Sequence, residues 1–263
     1  MATEQQNLLP ADLTGTCALV TGAAKGIGRA TATAFARAGA VVLLLDVDEA
    51  GGGAAAEEIV RAGGTAMFQR ADVADAEQVD GAVSAFEAVH GGVDVLVNNA
   101  ALVNPGTVDT MSEASWAAVI GVNLTGTFLV SRRVLPSMQA RGRGVILNLA
   151  SITGLVGRAG RPAYCASKGG IIALSRAMAV DHGPAGVRVN AVCPSGVETD
   201  QMAELYQESP DPEAARAEAV ALHPVGRLAA PEELAAFLTF LASDRASFIT
   251  GSVLTFDGGY TAV

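Results

Sequence analysis

The sequence predicts one α/β domain: a doubly wound parallel sheet of seven strands with helices on both faces. Three observations lead there. Short β-rich runs alternate with longer stretches of helical spacing, a glycine loop follows the first run directly, and no proline- or serine-rich linker divides residues 1–263.

In chain order, the first strand is predicted at Thr16 to Val20 and is followed by an amphipathic stretch, Ile27 to Ala38, with apolar residues three and four apart. Val41 to Asp46 is the second predicted strand, a short apolar run that ends in an acid. Thr65 to Gln69 is the third strand, and Ala76 to Val89 the next helical stretch. Val93 to Val97 and Gly144 to Leu149 supply the fourth and fifth strands. Ala163 to Asp181 is a long helix, Val187 to Val192 the sixth strand, Pro231 to Leu241 a helix and Ser252 to Thr255 the last strand. Right-handed crossovers between such parallel strands place helices on both faces. One region stands outside the alternation: residues 200–224, where helix-favouring residues sit between Pro210, Pro212 and Pro224. It reads either as a substrate loop or lid, or as an ordinary helical excursion on the surface.

Composition narrows the function. The chain is 50% hydrophobic and 17% charged, with 30 glycines, which excludes disorder and fibrous repeats. A net charge of -10 repels phosphate backbones, so nucleic acid is excluded as a partner. Uninterrupted apolar runs are short, Ala40 to Leu45 being typical, so no transmembrane helix is expected. The leader Met1 to Leu13 carries Glu4 and Asp12 but no basic residue, which predicts no secretory signal and a cytoplasmic protein. Cys17, Cys165 and Cys193 have no paired spacing and read as small buried hydrophobes. His90, His182 and His223 lack metal-ligand spacing, so no metal is expected and these rings are read as caps or exposed groups.

Straight after the first strand comes Thr21-Gly22-Ala23-Ala24-Lys25-Gly26-Ile27-Gly28. Glycines there permit a tight turn and let backbone N–H groups approach a pyrophosphate, which the following helix N-terminus also attracts. Asp46 closes the second strand 18 residues beyond Gly28, close to the separation expected of an acid that binds adenosine ribose hydroxyls. Its charge would repel a 2′-phosphate, whereas the Lys25 ammonium would attract one. With Val47, not arginine, directly after the acid, NAD is favoured over NADP.

Tyr164 and Lys168 lie four apart on a helical stretch and so project from one face. With three tyrosines and two lysines in the chain, chance gives that spacing in roughly 2% of sequences of this composition, so the pair is informative. A tyrosine hydroxyl titrates near 10 in water and is a poor base unless a cation stabilises the phenolate. Lys168 is placed to supply one. Ser151, at the end of the fifth strand, puts a hydroxyl where it would bond a substrate oxygen as charge develops.

With these residues together, the chain resembles the short-chain dehydrogenase/reductase family, in its single-domain branch of about 250 residues, nearly end to end. The resemblance rests on the T-G-x-x-x-G-x-G loop, Asp72 before Val73, Asn98-Asn99-Ala100, Asn123, and Ser151 spaced 13 residues before the Tyr164 and Lys168 of Y-x-x-x-K. It implies a Rossmann-type fold, with residues 1–263 one dinucleotide-binding and catalytic domain. It implies Tyr164 as general acid/base, Lys168 lowering its pKa and binding the nicotinamide ribose, and Ser151 holding the substrate oxygen. Asn123, by itself simply a helix residue, would support a water that relays the proton. Gly22, Lys25, Gly26, Ile27 and Gly28 would cradle the coenzyme, with Asp46 on the adenosine ribose and Asp72 and Val73 at adenine. Asn99, Ala100 and Pro194 would border it, and Val197 and Thr199 would meet the carboxamide. Two departures are visible: Ala101 where the family often has glycine, and Ser195 where Pro-Gly is usual, which predicts a perturbed backbone near the nicotinamide.

The function expected is interconversion of a secondary alcohol and a ketone with NAD. Substrate-pocket candidates are Leu102, Ile152, Thr153, Leu155 and Val156, mostly apolar, with Arg158 and Arg161 either meeting an anionic substrate or serving as surface or subunit contacts. The alternatives are an NADPH-dependent 3-oxoacyl thioester reductase with the same catalytic residues and a non-catalytic cofactor-binding regulator. The resemblance also implies a homotetramer, built through the helices around Asn123 and Tyr164 and through the segment Phe256-Asp257-Gly258-Gly259.

Overall fold

The computed structural model describes residues 11–207 and 209–262, so most of the leader lies outside the described residues. Seven parallel strands form one sheet in the order β3-β2-β1-β4-β5-β6-β7, with β1 Cys17–Thr21, β2 Val41–Asp46, β3 Thr65–Arg70, β4 Val95–Asn98, β5 Gly144–Leu149, β6 Val187–Pro194 and β7 Val253–Phe256. Every predicted strand is present. The bounds of β2 and β5 coincide with the prediction, and β6 runs two residues further, to Pro194.

Strand alternation sends side chains to two cores. Ala18 and Val20 of β1, Val42 and Leu44 of β2 and Val95 and Val97 of β4 pack under α1 (Gly26–Arg37), α2 (Glu49–Arg61) and α9 (Pro231–Ala242), against Phe35, Ile59, Leu234 and Leu238. Leu19, Leu43, Leu96 and Ile146 face the other way, against α3 (Ala76–His90), α5 (Gly126–Arg141) and α6 (Pro162–His182), where Phe86, Val130, Val134, Met138 and Met178 fill the space. Both sheet faces being covered explains the unbroken apolar runs of the strands.

α4 (Glu113–Ile120) joins α5 through one π turn, Gly121–Thr125, making a continuous helix of 29 residues. By length and composition it is long and apolar enough to cross a bilayer, a test that the core helix of a soluble protein also passes. Its place in the fold is against α3, where Arg133 pairs with Asp80 and, at 2.9 Å, with Glu87.

Residues 200–224 hold two short helices, α7 (Asp200–Gln207) and α8 (Pro212–Ala221), the latter capped by Asp211, whose carboxylate accepts the Ala214 N–H at 3.0 Å.

The chain reverses direction across the sheet between β1 and β4, and ligands of open parallel sheets lie beyond the carboxyl ends of the strands at such a point. Thr21, Asp46, Asn98, Leu149 and Pro194 are those carboxyl ends.

Candidate active site

A cleft of about 460 Å³ opens at that crevice. On its wall lie Gly22, Lys25, Gly26, Ile27, Asp46, Asp72, Val73, Asn99, Ala100, Tyr164, Lys168, Pro194 and Thr199, residues the sequence placed at a coenzyme. Gly28, Val197, Asn123 and Ser151 are not on that wall. Gly28 lies under the loop, where a Cβ would stand 2.1 Å from the Gly22 carbonyl oxygen; only glycine fits. Val197 is buried and forms a bridge to Ala229.

The glycine loop is stapled from the neighbouring strand. Asn99 donates its side-chain amide to the carbonyls of Thr21 and Gly22 at 2.9 and 3.0 Å, while the Thr21 hydroxyl accepts the N–H groups of Asn99 and Ala100, each at 3.0 Å. Thr21 is thus a positioning residue that motif reading passed over. Its signal was its place at the head of the loop. Gly22 has φ +64°, a conformation costly for any side chain. No acid occupies the first turn of α1, so its N-terminal N–H groups are left for an anion. Asp46 accepts the Ala24 N–H at 2.9 Å through one oxygen and the Asp48 N–H at 3.0 Å through the other. The carboxylate is thereby tied to the loop, and the exposed Lys25 lines the same cleft. Cradle, positive helix end and acid together fit a dinucleotide.

At the other end of the cleft, Ser151 follows β5 in extended backbone, buried, and Tyr164 stands in the first turn of α6. The Ser151 hydroxyl, which accepts the Thr153 N–H at 3.2 Å, is near enough to favour the Tyr164 phenolate. Lys168, one turn along α6, is 2% exposed; its ammonium donates to the Leu149 carbonyl at 2.6 Å and lies 5.4 Å from the centroid of the Tyr164 ring. Burial lowers the Lys168 pKa to about 8, so the cation survives at neutral pH. Burial raises that of Tyr164, opposed by the Ser151 hydroxyl and the Arg161 charge. Both burial shifts favour the neutral forms of these groups.

Asn123 sits in the π turn, fully buried. Its carbonyl oxygen accepts the Leu102 N–H at 2.7 Å; its amide donates to the Leu102 carbonyl and to the Ser167 hydroxyl, both at 3.0 Å. Ser167 in turn donates to the Tyr164 carbonyl at 2.8 Å. A chain of bonds thus runs from the cleft wall at Leu102 to the turn that carries the tyrosine.

Several expectations need correction. Cys165 is half-buried, unlike Cys17 and Cys193. His223 does cap α8, but it is 6% exposed rather than solvated, with its far ring nitrogen on Ser195. Neither Ala101 nor Ser195 takes a left-handed conformation: among the described residues only glycines have positive φ. Of the pocket candidates, Leu102 lines the cleft, Ile152 and Thr153 are buried, and Leu155 and Val156 are exposed at 44% and 41%.

A family model described as enoyl-(acyl carrier protein) reductase matches residues 22–261. The chain is 43% identical to cis-4-hydroxycyclohexanecarboxylate dehydrogenase of Sinomonas cyclohexanicum, over 94% of this chain and 96% of that one. It is 40% identical to 2-(S)-hydroxypropyl-CoM dehydrogenase 3 of Xanthobacter autotrophicus, over 93% and 96%. Among solved structures, a short-chain type dehydrogenase/reductase from Mycobacterium marinum superimposes with a TM-score of 0.89 at 34% identity, covering 96% of this chain and 98% of that one. Sequence, sheet order and site agree, and the chain belongs to the short-chain dehydrogenase/reductase family of oxidoreductases.

Proposed function

We propose that the protein is a NAD-dependent dehydrogenase of secondary alcohols, reducing the corresponding ketones in reverse. The carrying observation is that Tyr164 and the Lys168 cation, 5.4 Å from the centroid of its ring, line the same cleft as Asp46, with Ser151 placed to favour the Tyr164 phenolate. A nicotinamide bound there supplies the hydride acceptor or donor. The chain supplies the rest: Ser151 and Tyr164 hold the substrate oxygen, and Tyr164 takes or gives its proton. Lys168 places a positive charge near the phenol, and Asn123 fixes the cleft wall and the Tyr164 turn through Leu102 and Ser167. Asp46 selects NAD by repelling a 2′-phosphate.

Arg158 and Arg161 make no ion pair with any described carboxylate, in a chain where acids outnumber bases 27 to 17. The Arg161 charge acts on Tyr164, and those of Arg216 and, more weakly, Arg158 act on Tyr206 of α7, whose buried hydroxyl has no hydrogen-bond partner among the described residues. These groups support a substrate that carries an anionic group remote from its carbinol, held beneath α7 and α8 acting as a lid. Exposed Trp116 and Phe128 on the long helix and Val180 on α6 support a homotetramer assembled through those helices, for which a monomer mass by light scattering would be the refuting result.

Initial rates with NAD and NADP against cyclic, acyclic and hydroxyacyl secondary alcohols test the reading. Turnover with NAD is expected. A preference for NADP together with thioester substrates would transfer the assignment to a 3-oxoacyl thioester reductase.

A further inference from the structure

Ser195 follows Pro194 at the carboxyl end of β6, and its hydroxyl lies 2.7 Å from Nε2 of His223, just beyond α8. The other ring nitrogen decides which group donates. Nδ1 is 2.8 Å from the main-chain carbonyl of Ala219, which can only accept, so Nδ1 carries the hydrogen. Nε2 is then an acceptor and takes the Ser195 hydroxyl hydrogen, while the Gly196 N–H points at the same nitrogen from 3.4 Å. The ring is 6% exposed, with Tyr260 edge-on at 5.5 Å. Capping α8 requires only Nδ1, so the bond at Nε2 is left without a purpose by that role.

The purpose lies in where the contact falls. The segment bearing α7 and α8 leaves the body after Thr199 and returns at His223, so the contact closes the neck of that excursion. The residues it grips are held from the other side as well: Ser195 N–H donates to the Phe256 carbonyl at 3.2 Å, and Ala229 N–H donates to the Gly196 carbonyl at 3.1 Å. Pro194 and Thr199, at the two ends of this gripped stretch, both line the cleft. There is no slack at its centre, since a Cβ on Gly196 would stand 2.7 Å from Leu228 and 3.2 Å from the His223 ring.

We propose that His223, acting through Ser195, is a positioning residue for the nicotinamide end of the cleft: it fixes the backbone from Pro194 to Thr199 where that backbone borders the coenzyme, and it closes the neck of the excursion that carries α7 and α8. This rests on the coenzyme reading given above. The two side chains touch no reacting atom and act only through the main chain they hold.

The test separates the two ends of the coenzyme. NADH and ADP-ribose, which lacks the nicotinamide, are titrated calorimetrically into the native protein, Ser195→Ala and His223→Gln, with thermal midpoints measured alongside. Ser195→Ala, a small change at a site any residue's backbone can adopt, is expected to bind ADP-ribose as the native protein does. It is expected to bind NADH about three- to ten-fold more weakly, the worth of one hydrogen bond, with the coenzyme KM rising by the same factor. His223→Gln should show the same selective loss, and the double variant should be no worse than the weaker single one. Unchanged NADH affinity in Ser195→Ala overturns the proposal, as does an equal loss for both ligands or a lowered midpoint alone. A native protein that binds ADP-ribose and NADH equally removes the nicotinamide-end contact itself, and one that binds neither strikes the coenzyme reading first.

Discussion

The Lys168 ammonium lies 5.4 Å from the centroid of the Tyr164 ring, and burial moves the two groups in opposite directions, the lysine down to about 8 and the tyrosine up. Both shifts disfavour charge, and they leave a phenol beside a cation that persists below pH about 8. Such a pair suits a proton donor at rest, and the positive charge is ready for the moment when the proton leaves.

Tyr164→Phe removes the transferable proton and little else. Turnover is expected to fall by about 10²–10⁴-fold while NADH binding by titration stays within a factor of two, as general acid–base catalysis alone would dictate. Turnover above that range would reassign the proton to another group.

Lys168→Met replaces a buried charge whose one described hydrogen bond runs to a carbonyl. The variant is expected to lose activity and yet gain about 1–3 kcal/mol of stability at pH 7. Because the folded pKa lies below the unfolded value of 10.5, the unfolded chain holds more protons between pH 8 and 10.5. The native protein therefore gains stability as pH rises through that window, and the advantage of Lys168→Met should shrink there and vanish above it. Urea melts at pH 7, 9 and 10.5 check both the sign and the window.

Asp46→Asn keeps an acceptor oxygen for the Ala24 N–H of the loop, gives up the bond to the Asp48 N–H, and removes the charge. The ratio of kcat/KM for NADP to that for NAD is expected to rise at least about ten-fold, since a carboxylate within about 4 Å of a phosphate costs more than 1.4 kcal/mol at intermediate dielectric. An unchanged ratio would leave Lys25 in charge of coenzyme choice.

Arg161 and Arg158 predict a preference among substrates. A secondary alcohol bearing a remote carboxylate should be oxidised with a KM about ten-fold below that of its neutral amide, the worth of one charge-assisted bond, and Arg161→Met should erase the difference. Equal KM values in the native protein would make these arginines surface or subunit contacts.

Much of the fold was legible because each strand is a short, fully buried run bounded by turn residues, which leaves no competing period. β1 and β4 were misplaced by one or two residues because their ends depend on neighbours: Asp94, read as strand, instead uses its carboxylate to accept the Cys17 N–H at 3.0 Å. α2 was not singled out because Gly51, Gly52 and Gly53 dilute its apolar stripe. At the site, whatever is written locally was readable: the glycine loop, the acid after β2, the tyrosine and lysine one turn apart. Ser195 with His223, and Asn123 with Leu102, meet across 28 and 21 residues, and no local pattern announces such pairs. The direction of the Tyr164 shift was equally hidden, since it depends on how much of the ring the fold covers.

The π turn at Gly121–Thr125 carries one residue more than an α turn would hold, so α4 and α5 are out of phase by about 100° with respect to a single uninterrupted helix. Losing any one of those five residues would restore the phase, and the chain could then keep every hydrogen bond of the long helix intact. The Asn123 amide, however, would rotate away from Leu102 and Ser167 together. A one-residue deletion that a surface loop would absorb acts here as a dislocation, and its damage would appear at Tyr164, on a different helix, with helix content preserved.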